Sequence, residues 1–262
     1  MDNGMFAPFK WQAYFDNFPV ILTAFGKTIG ISVLALLLAL VLGVIFGVMS
    51  VSRNKVLRAI NRVYVEVIQN VPLLLQVFVM YAVFPLIGIE MSTFLIGVIA
   101  IGIYHGAYIS EVVRSGISSI PTGQFEAARS QGFSYIEMMR TIILPQAIQI
   151  IMPPLAVQAA NLIKNTSIMA LVAGGELMYA TNSFANSTSY YGPAYVIAAL
   201  MYFILCFPLS RLALRLETNR GKKRIRRVQY DEVNVAITED DDDLKHAVAR
   251  EGVSTWESSS RG

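Results

Sequence analysis

Residues 28–50 read TIGISVLALLLALVLGVIFGVMS, a run of 23 residues without a charged side chain. A helix of about 20 apolar residues crosses the hydrocarbon core of a bilayer, because each residue advances about 1.5 Å along the helix axis. The whole 262-residue chain is 55% hydrophobic and only 15% charged. This composition excludes a soluble domain of this size and indicates an integral membrane protein.

Four further windows have the length of a membrane span. They are residues 63–87, 92–110, 147–172 and 193–213. Together with 28–50 they predict an all-α fold of about five transmembrane helices. The window 63–87 contains Gln69, Asn70, Pro72, Gln76 and Pro85. We therefore expect a kinked helix that packs inside the bundle, where neighbours or water satisfy its polar groups.

Basic residues are distributed unevenly between the connections. Lys and Arg cluster after the windows 28–50, 92–110 and 193–213, whereas the connection near Glu90 and residues 173–191 contain none. Short loops rich in Lys and Arg remain in the cytoplasm. We therefore expect the N-terminus outside and the C-terminus in the cytoplasm, which agrees with an odd number of spans.

The chain divides into three predicted parts. Residues 1–22 form an extracytoplasmic arm without the features of a cleavable signal peptide, and residues 23–217 form the transmembrane domain. Residues 218–262 form a cytoplasmic tail that is first basic and then acidic. The basic part can rest on anionic membrane lipid, and the scarcity of apolar residues beyond it predicts disorder.

A long cytoplasmic loop, residues 118–146, is patterned as two short helices. Thr122 can cap the first, and Gly132 can end it by adopting the left-handed conformation. Ser134 and Glu137 have the spacing of a capping box that starts the second.

The first of these helices has the composition of a docking surface. Glu126-Ala127-Ala128 places one carboxylate beside two very small side chains, which another protein can approach closely. The alternative is an ordinary amphipathic helix at the membrane surface.

The segment EAARSQGFSYIEMMRTIILP, residues 126–145, resembles the EAA loop of ABC-importer permeases. The matching positions are Glu126, Ala127, Ala128, Gly132, Ile143, Leu144 and Pro145. Other segments resemble the polar amino-acid permeases of that class: EVIQNVPLLLQ at 66–76, YISEVVRSGI at 108–117, GQFEAA from Gly123 and Gln124 onward, LPQA at 144–147 and KNTS at 164–167. The resemblance extends over about residues 23–217.

The resemblance implies a type I ABC importer. In such an assembly two permease subunits, identical or different, combine with two cytoplasmic ATPase subunits and an extracytoplasmic substrate-binding protein. Residues 122–137 are then the coupling helix that contacts the ATPase. The chain departs from many relatives at Gln69-Asn70-Val71, where they have Arg-Gly-Thr, and at Asn165, where they have Asp.

The sequence contains no catalytic constellation of its own. Gly26-Lys27-Thr28 resembles the end of a phosphate-binding loop, but Ile21 occupies the position of that motif's first glycine. No metal-ligand spacing is present. We therefore expect no enzymatic activity, metal or cofactor in this chain, with ATP and Mg bound by the partner ATPase, and no nucleic-acid partner.

A polar cluster interrupts the apolar window 147–172. Lys164 is accompanied by Asn161, Asn165, Thr166 and Ser167. Ionisable groups at membrane depth are costly and usually face a cavity or a partner. The cluster can offer a carboxylate a cation and amide donors, with Asn70 and Gln76 as a second polar wall. The alternative is a hydrogen-bond network that only fixes the helices.

His105 leaves two interpretations open. It can relay protons, or it can be a packed and hydrogen-bonded histidine, which we favour.

Taken together, the sequence predicts ATP-driven import of a polar amino acid. Glutamine or glutamate is the favoured substrate, because Asn165 replaces an acidic residue that would suit a cationic substrate. The alternatives are a carrier or channel driven by an ion gradient, and a membrane anchor without a substrate path.

Overall fold

The computed structural model describes residues 4–218, which contain no β-strand. The α-helices are α1 Pro8–Asp16, α2 Phe18–Ser50, α3 Lys55–Asn70, α4 Leu73–Phe78, α5 Thr93–Ser118, α6 Thr122–Ser130, α7 Tyr135–Met138, α8 Leu144–Asn165, α9 Leu177–Thr188 and α10 Tyr191–Thr218. Two π-helical turns, Val79–Val83 and Met139–Ile143, and two 3₁₀ segments, Phe84–Ile87 and Thr166–Val172, extend them. Of the described residues, 4–214 belong to one compact unit.

The number of membrane spans agrees with the sequence. Helices α2, α5 and α10 and the continuous segment Tyr135–Val172 are each long and apolar enough to cross a bilayer, and α3 with Leu73–Ile87 supplies a fifth if the bent pair counts as one span. The helices are longer than the predicted windows. α2, for example, begins at Phe18 instead of Thr28, because the helix continues past Lys27, the charged residue next to the predicted window.

The second span is broken, whereas the sequence predicted a kinked helix over 63–87. It begins earlier, at Lys55, and α3 meets Leu73–Ile87 at an angle of 96°. Pro72 causes the break because it has no N–H and forces Val71 into an extended conformation (φ −104°, ψ 126°). Gln76 compensates, since its Nε2 donates to the carbonyl oxygens of Ile68 (2.9 Å) and Val71 (3.0 Å).

The second short helix predicted within residues 118–146 is not separate, which corrects that prediction. α7 continues through the π-helical turn Met139–Ile143 into α8, so that Tyr135–Val172 runs for 38 residues. Pro145 lies in the first turn of α8, immediately after this turn. Proline has no N–H and would interrupt the regular hydrogen bonds of an α-helix. Next to a π turn that regular pattern is already interrupted, so a proline is tolerated there.

Buried α2–α5 packing forms the centre of the main core. Gly43 and Gly47 of α2 lie against Ile109 and Val113 of α5. Reciprocally, Gly102 and Gly106 of α5 lie against Leu38 and Leu42 of α2. Small residues let two helix backbones approach closely. The van der Waals contacts that result help to hold helices together inside a bilayer.

A second apolar cluster joins α1, α2, α9 and α10. Tyr14, Ile21 and Leu177 are fully buried in it, with Phe184 and Met201 beside them. The predicted boundary between residues 22 and 23 therefore falls inside α2, and α1 packs on the bundle.

The predicted tail, apart from its first residue Thr218, lies outside the described residues.

The start of α9 is fixed by a buried carboxylate. Glu176 accepts hydrogen bonds from the N–H groups of Met178 (2.7 Å) and Tyr179 (2.7 Å) and from the hydroxyl of Tyr202 (3.0 Å). Burial raises the pKa of Glu176, while these three hydrogen bonds oppose the rise. The Thr28 hydroxyl accepts the N–H of Leu177 at 3.0 Å, so this node ties α2, α9 and α10 together.

The glycine contacts of α2 predict which substitutions the core tolerates. A methyl group at Gly47 would lie 2.6 Å from the Cβ of Val113, whereas one at Gly26 would meet nothing within 4 Å. Gly47→Ala should therefore destabilise the chain by about 1–3 kcal/mol. The matched control Gly26→Ala should be neutral or slightly stabilising, because alanine favours helix. Thermal unfolding in detergent or lipid compares the two, and equal melting temperatures would contradict this packing.

Candidate functional site

A polar cavity of about 260 Å³ lies between α5 and α8. α5 contributes Tyr104, His105 and Tyr108, and α8 contributes Gln158, Asn161, Lys164 and Asn165. Helical periodicity explains the set, because side chains three, four or seven positions apart share one face. The structure therefore brings together three predicted substrate-path residues, Asn161, Lys164 and Asn165.

His105 is the hydrogen-bonded centre of the cavity wall. Only 2% of it is exposed, its Nδ1 lies 3.2 Å from Oε1 of Gln158, and its Nε2 lies 3.0 Å from Nδ2 of Asn165. The ring also contacts Tyr104 edge to face, with centroids 5.5 Å apart. This geometry agrees with the hydrogen-bonded interpretation of His105 that the sequence favoured.

Lys164 supplies positive charge at this cavity. Its side chain is exposed, and its ammonium group has no hydrogen bond or ion pair with any residue in 4–218. The neighbouring hydroxyl groups of Tyr104 and Tyr108 lie 3.1 Å apart. The cavity thus combines a cation, amides and phenols, which are groups suited to a small polar ligand that carries a carboxylate.

The other four predicted substrate-path residues do not line this cavity. Thr166 and Ser167 donate to the carbonyl oxygens of Ile163 and Lys164, both at 2.7 Å. Asn70 donates to the carbonyl of Glu66 at 2.7 Å, and Gln76 bonds to the end of α3. Each of these side chains donates to a backbone carbonyl group at a nearby helix end.

Within residues 4–218, α3 and α5 each carry an ion pair. Glu111 and Arg114 approach to 2.7 Å on α5, one helical turn apart. Glu66 pairs with Arg62 at 2.7 Å on the exposed side of α3.

On α6, four of the five residues predicted to dock a partner are exposed. Glu126, Ala127, Gly123 and Gln124 are exposed, whereas Ala128 is buried and anchors the helix on the main core. The loop predicted at 118–146 thus contains α6, the whole of α7 and the π-helical turn Met139–Ile143. Its last residues, from Leu144 and Pro145 onward, already belong to α8.

Three helix caps were predicted in this loop, and the structure confirms two of them. Gly132 adopts the left-handed conformation (φ +82°). Ser134 and Glu137 form a complete capping box, with Ser134 N–H donating to Oε2 of Glu137 at 2.9 Å. Thr122 does not act as a cap, because the helix already begins at Thr122 and its side chain makes no capping bond.

A larger crevice of about 740 Å³ lies between the first turns of α2 and α9, along most of the length of α9. Lys27 is the charged residue among the described side chains that line it, with Asn17, Thr23 and Ser183 as polar neighbours. Sequence reasoning missed this crevice, because residues 173–191 showed no span and were not predicted to form a helix.

Sequence reasoning also missed Gln158, which completes the His105 network. Its spacing from Asn161 and Asn165, three and seven positions, gave the available signal. The contact between Gln158 and His105 joins residues 53 positions apart, so spacing alone could not reveal it.

Comparison with known proteins identifies the class. Residues 39–220 match the family described as "Binding-protein-dependent transport system inner membrane component". The chain is 45% identical over 196 residues to the probable glutamine ABC transporter permease protein GlnM of Bacillus subtilis (strain 168), covering 75% of this chain and 91% of that one. It is 36% identical to the probable glutamine permease GlnP of the same organism, covering 78% of this chain and 95% of GlnP.

Solved structures show the same fold. A chain described as "Crystal structure of an amino acid ABC transporter with histidines" superimposes with a TM-score of 0.74 and 29% identity, covering 80% of this chain and 98% of that chain. An inward-facing MetNI methionine ABC transporter chain gives a TM-score of 0.62 at 15% identity, over 76% of this chain and 97% of that one. At that identity the second similarity concerns the fold alone.

Proposed function

Because the chain belongs to the family of binding-protein-dependent transport system inner membrane components, we propose that it is the permease subunit of an ATP-driven amino-acid importer. The observation that carries this proposal is α6, a short helix on a loop between two spans that exposes Glu126 and Ala127 to a partner. A carrier driven by an ion gradient has no need of such a docking element. Relatives described as amino-acid permeases support the same conclusion.

The proposed orientation follows from charge. Arg53, Lys55 and Arg58 follow α2, and Arg129 and Arg140 lie on the loop after α5, so this side faces the cytoplasm. The N-terminus is then extracytoplasmic and the C-terminus cytoplasmic. α9 and the crevice beside Lys27 lie on the opposite, extracytoplasmic side, where a substrate-binding protein delivers its ligand.

The proposed assembly contains partners that supply what this chain lacks. A second permease subunit, identical or different, completes the translocation path, and two ATPase subunits bind ATP and Mg and contact α6. The apolar outer faces of α2 and α10 contact lipid; Leu37, Val44 and Phe203 are among their exposed side chains. A rigid α6 can transmit motion because Ala128 is buried and the Ser134 capping box fixes the next turn.

Substituting the α6 surface tests this coupling. Glu126→Trp places a large side chain where the ATPase is expected to approach closely, so ATP hydrolysis should continue while uptake falls at least tenfold. Replacing Gly132 with a bulky residue should act in the same direction, because its φ of +82° disfavours a side chain.

The matched control is Glu90→Trp, the same substitution at an exposed glutamate of the extracytoplasmic connection. It should leave coupling unchanged. Membrane insertion of all variants is checked by quantifying the protein in washed membranes. Normal coupled uptake by Glu126→Trp would refute the docking role.

We infer that the cavity between α5 and α8 takes the amino acid. The Lys164 ammonium is unpaired among the described residues and can bind the α-carboxylate, while Asn161 and Asn165 offer amide hydrogen bonds. A positive Lys164 also disfavours cationic side chains, which agrees with Asn in place of Asp at position 165. Glutamine is the substrate we favour, with glutamate next, and the names of GlnM and GlnP support it.

Lys164 gives the second functional prediction. A hydrogen bond to a charged group contributes about 1.5–3 kcal/mol, equivalent to roughly ten- to a hundredfold in affinity. Lys164→Met should therefore raise the KM for uptake by about that factor, and Lys164→Arg should retain most of the affinity. Initial rates in proteoliposomes over a range of substrate concentrations measure both, and an unchanged KM for Lys164→Met would exclude the contact.

A further inference from the structure

The orientation of the two amides beside His105 fits one position of its proton. Nδ2 of Asn165 lies 3.0 Å from Nε2 of His105, and in this orientation the amide nitrogen donates while Nε2 accepts and carries no proton. A neutral imidazole has one N–H, which then sits on Nδ1 and donates to Oε1 of Gln158 at 3.2 Å. Only 2% of the residue is exposed, so both ring nitrogens take their hydrogen-bond partners from the protein.

This arrangement leaves one group of each amide available to the cavity. Oδ1 of Asn165 is an acceptor without a hydrogen bond to any residue in 4–218, and Nε2 of Gln158 is a donor in the same condition. A proton on Nε2 instead would turn both amides around. Asn165 would then present N–H groups and Gln158 a carbonyl oxygen.

We propose that His105 is a positioning residue that sets the donor and acceptor polarity of the cavity, so that Asn165 accepts and Gln158 donates towards the ligand. Such a cavity suits an amino-acid zwitterion with an uncharged or acidic side chain. The α-ammonium group binds Oδ1 of Asn165, and the carboxylate binds Lys164 and the amide of Gln158. The ligand assignment rests on the proposed function, whereas the proton position in His105 does not.

Nitrogen-15 NMR measures that proton position directly. The full chain, labelled at histidine and carrying His246→Gln to remove the other histidine, is reconstituted in lipid bilayers. The ¹⁵N shifts of the remaining ring should show a protonated Nδ1 and an unprotonated Nε2. A neutral ring protonated on Nε2, or a doubly protonated ring, would overturn the proposal.

Two isosteric substitutions form a matched pair for the same spectrum. Asn165→Asp removes the donor opposite Nε2 and provides only acceptors, so Nε2 should gain a proton. Gln158→Glu keeps an acceptor opposite Nδ1, so Nε2 should remain unprotonated. The reverse result, with Gln158→Glu changing the protonation of the ring and Asn165→Asp leaving it unchanged, would show that the polarity of the cavity is the opposite.

Transport kinetics test the positioning role separately. His105→Gln retains an acceptor for Asn165, whereas His105→Leu retains none. The KM for glutamine should rise about tenfold in His105→Leu, the equivalent of one lost hydrogen bond, with a smaller change in kcat, and His105→Gln should restore most of the affinity. Equal KM values for His105→Gln and His105→Leu would contradict the positioning role and show that His105 only packs, whatever its protonation in the NMR spectrum.

Discussion

The close packing of α2 against α5 is the constraint on which the rest of the described structure depends. Glycines on both helices, Gly43 and Gly47 on one and Gly102 and Gly106 on the other, bring the two backbones together. This contact fixes the rotation of α5. With that rotation set, Tyr104, His105 and Tyr108 face α8 and form one wall of the polar cavity.

Polar residues inside this bundle serve two different purposes. Asn70, Gln76, Thr166 and Ser167 return to nearby carbonyl groups at helix ends, where a bilayer offers no water to replace them. His105, Gln158 and Asn165 instead connect different helices and leave hydrogen-bonding groups over for a ligand. The sequence shows both kinds of residue in the same apolar windows, and only three-dimensional contacts separate them.

The sequence predicted the spans and two caps in the loop between α5 and α8, because both depend on local properties. Apolar length predicts a span, and the Ser134–Glu137 spacing and Gly132 predict turns of the loop. The break at Pro72 was predicted only as a kink, because its 96° angle depends on how α3 packs along α5. Of the residues that line the cavity, the sequence predicted Asn161, Lys164 and Asn165, which lie on one helix. It did not predict the hydrogen bond between Asn165 and His105, because the two residues are distant in sequence.

The proposed importer moves an amino acid only when a separate ATPase hydrolyses ATP. This dependence is measured by reconstituting the chain with its ATPase and candidate binding protein and following uptake of a panel of labelled amino acids into proteoliposomes. Glutamine should accumulate only when ATP and the binding protein are both supplied, whereas arginine and lysine should not accumulate. Accumulation that follows an ion gradient without ATP would contradict this dependence.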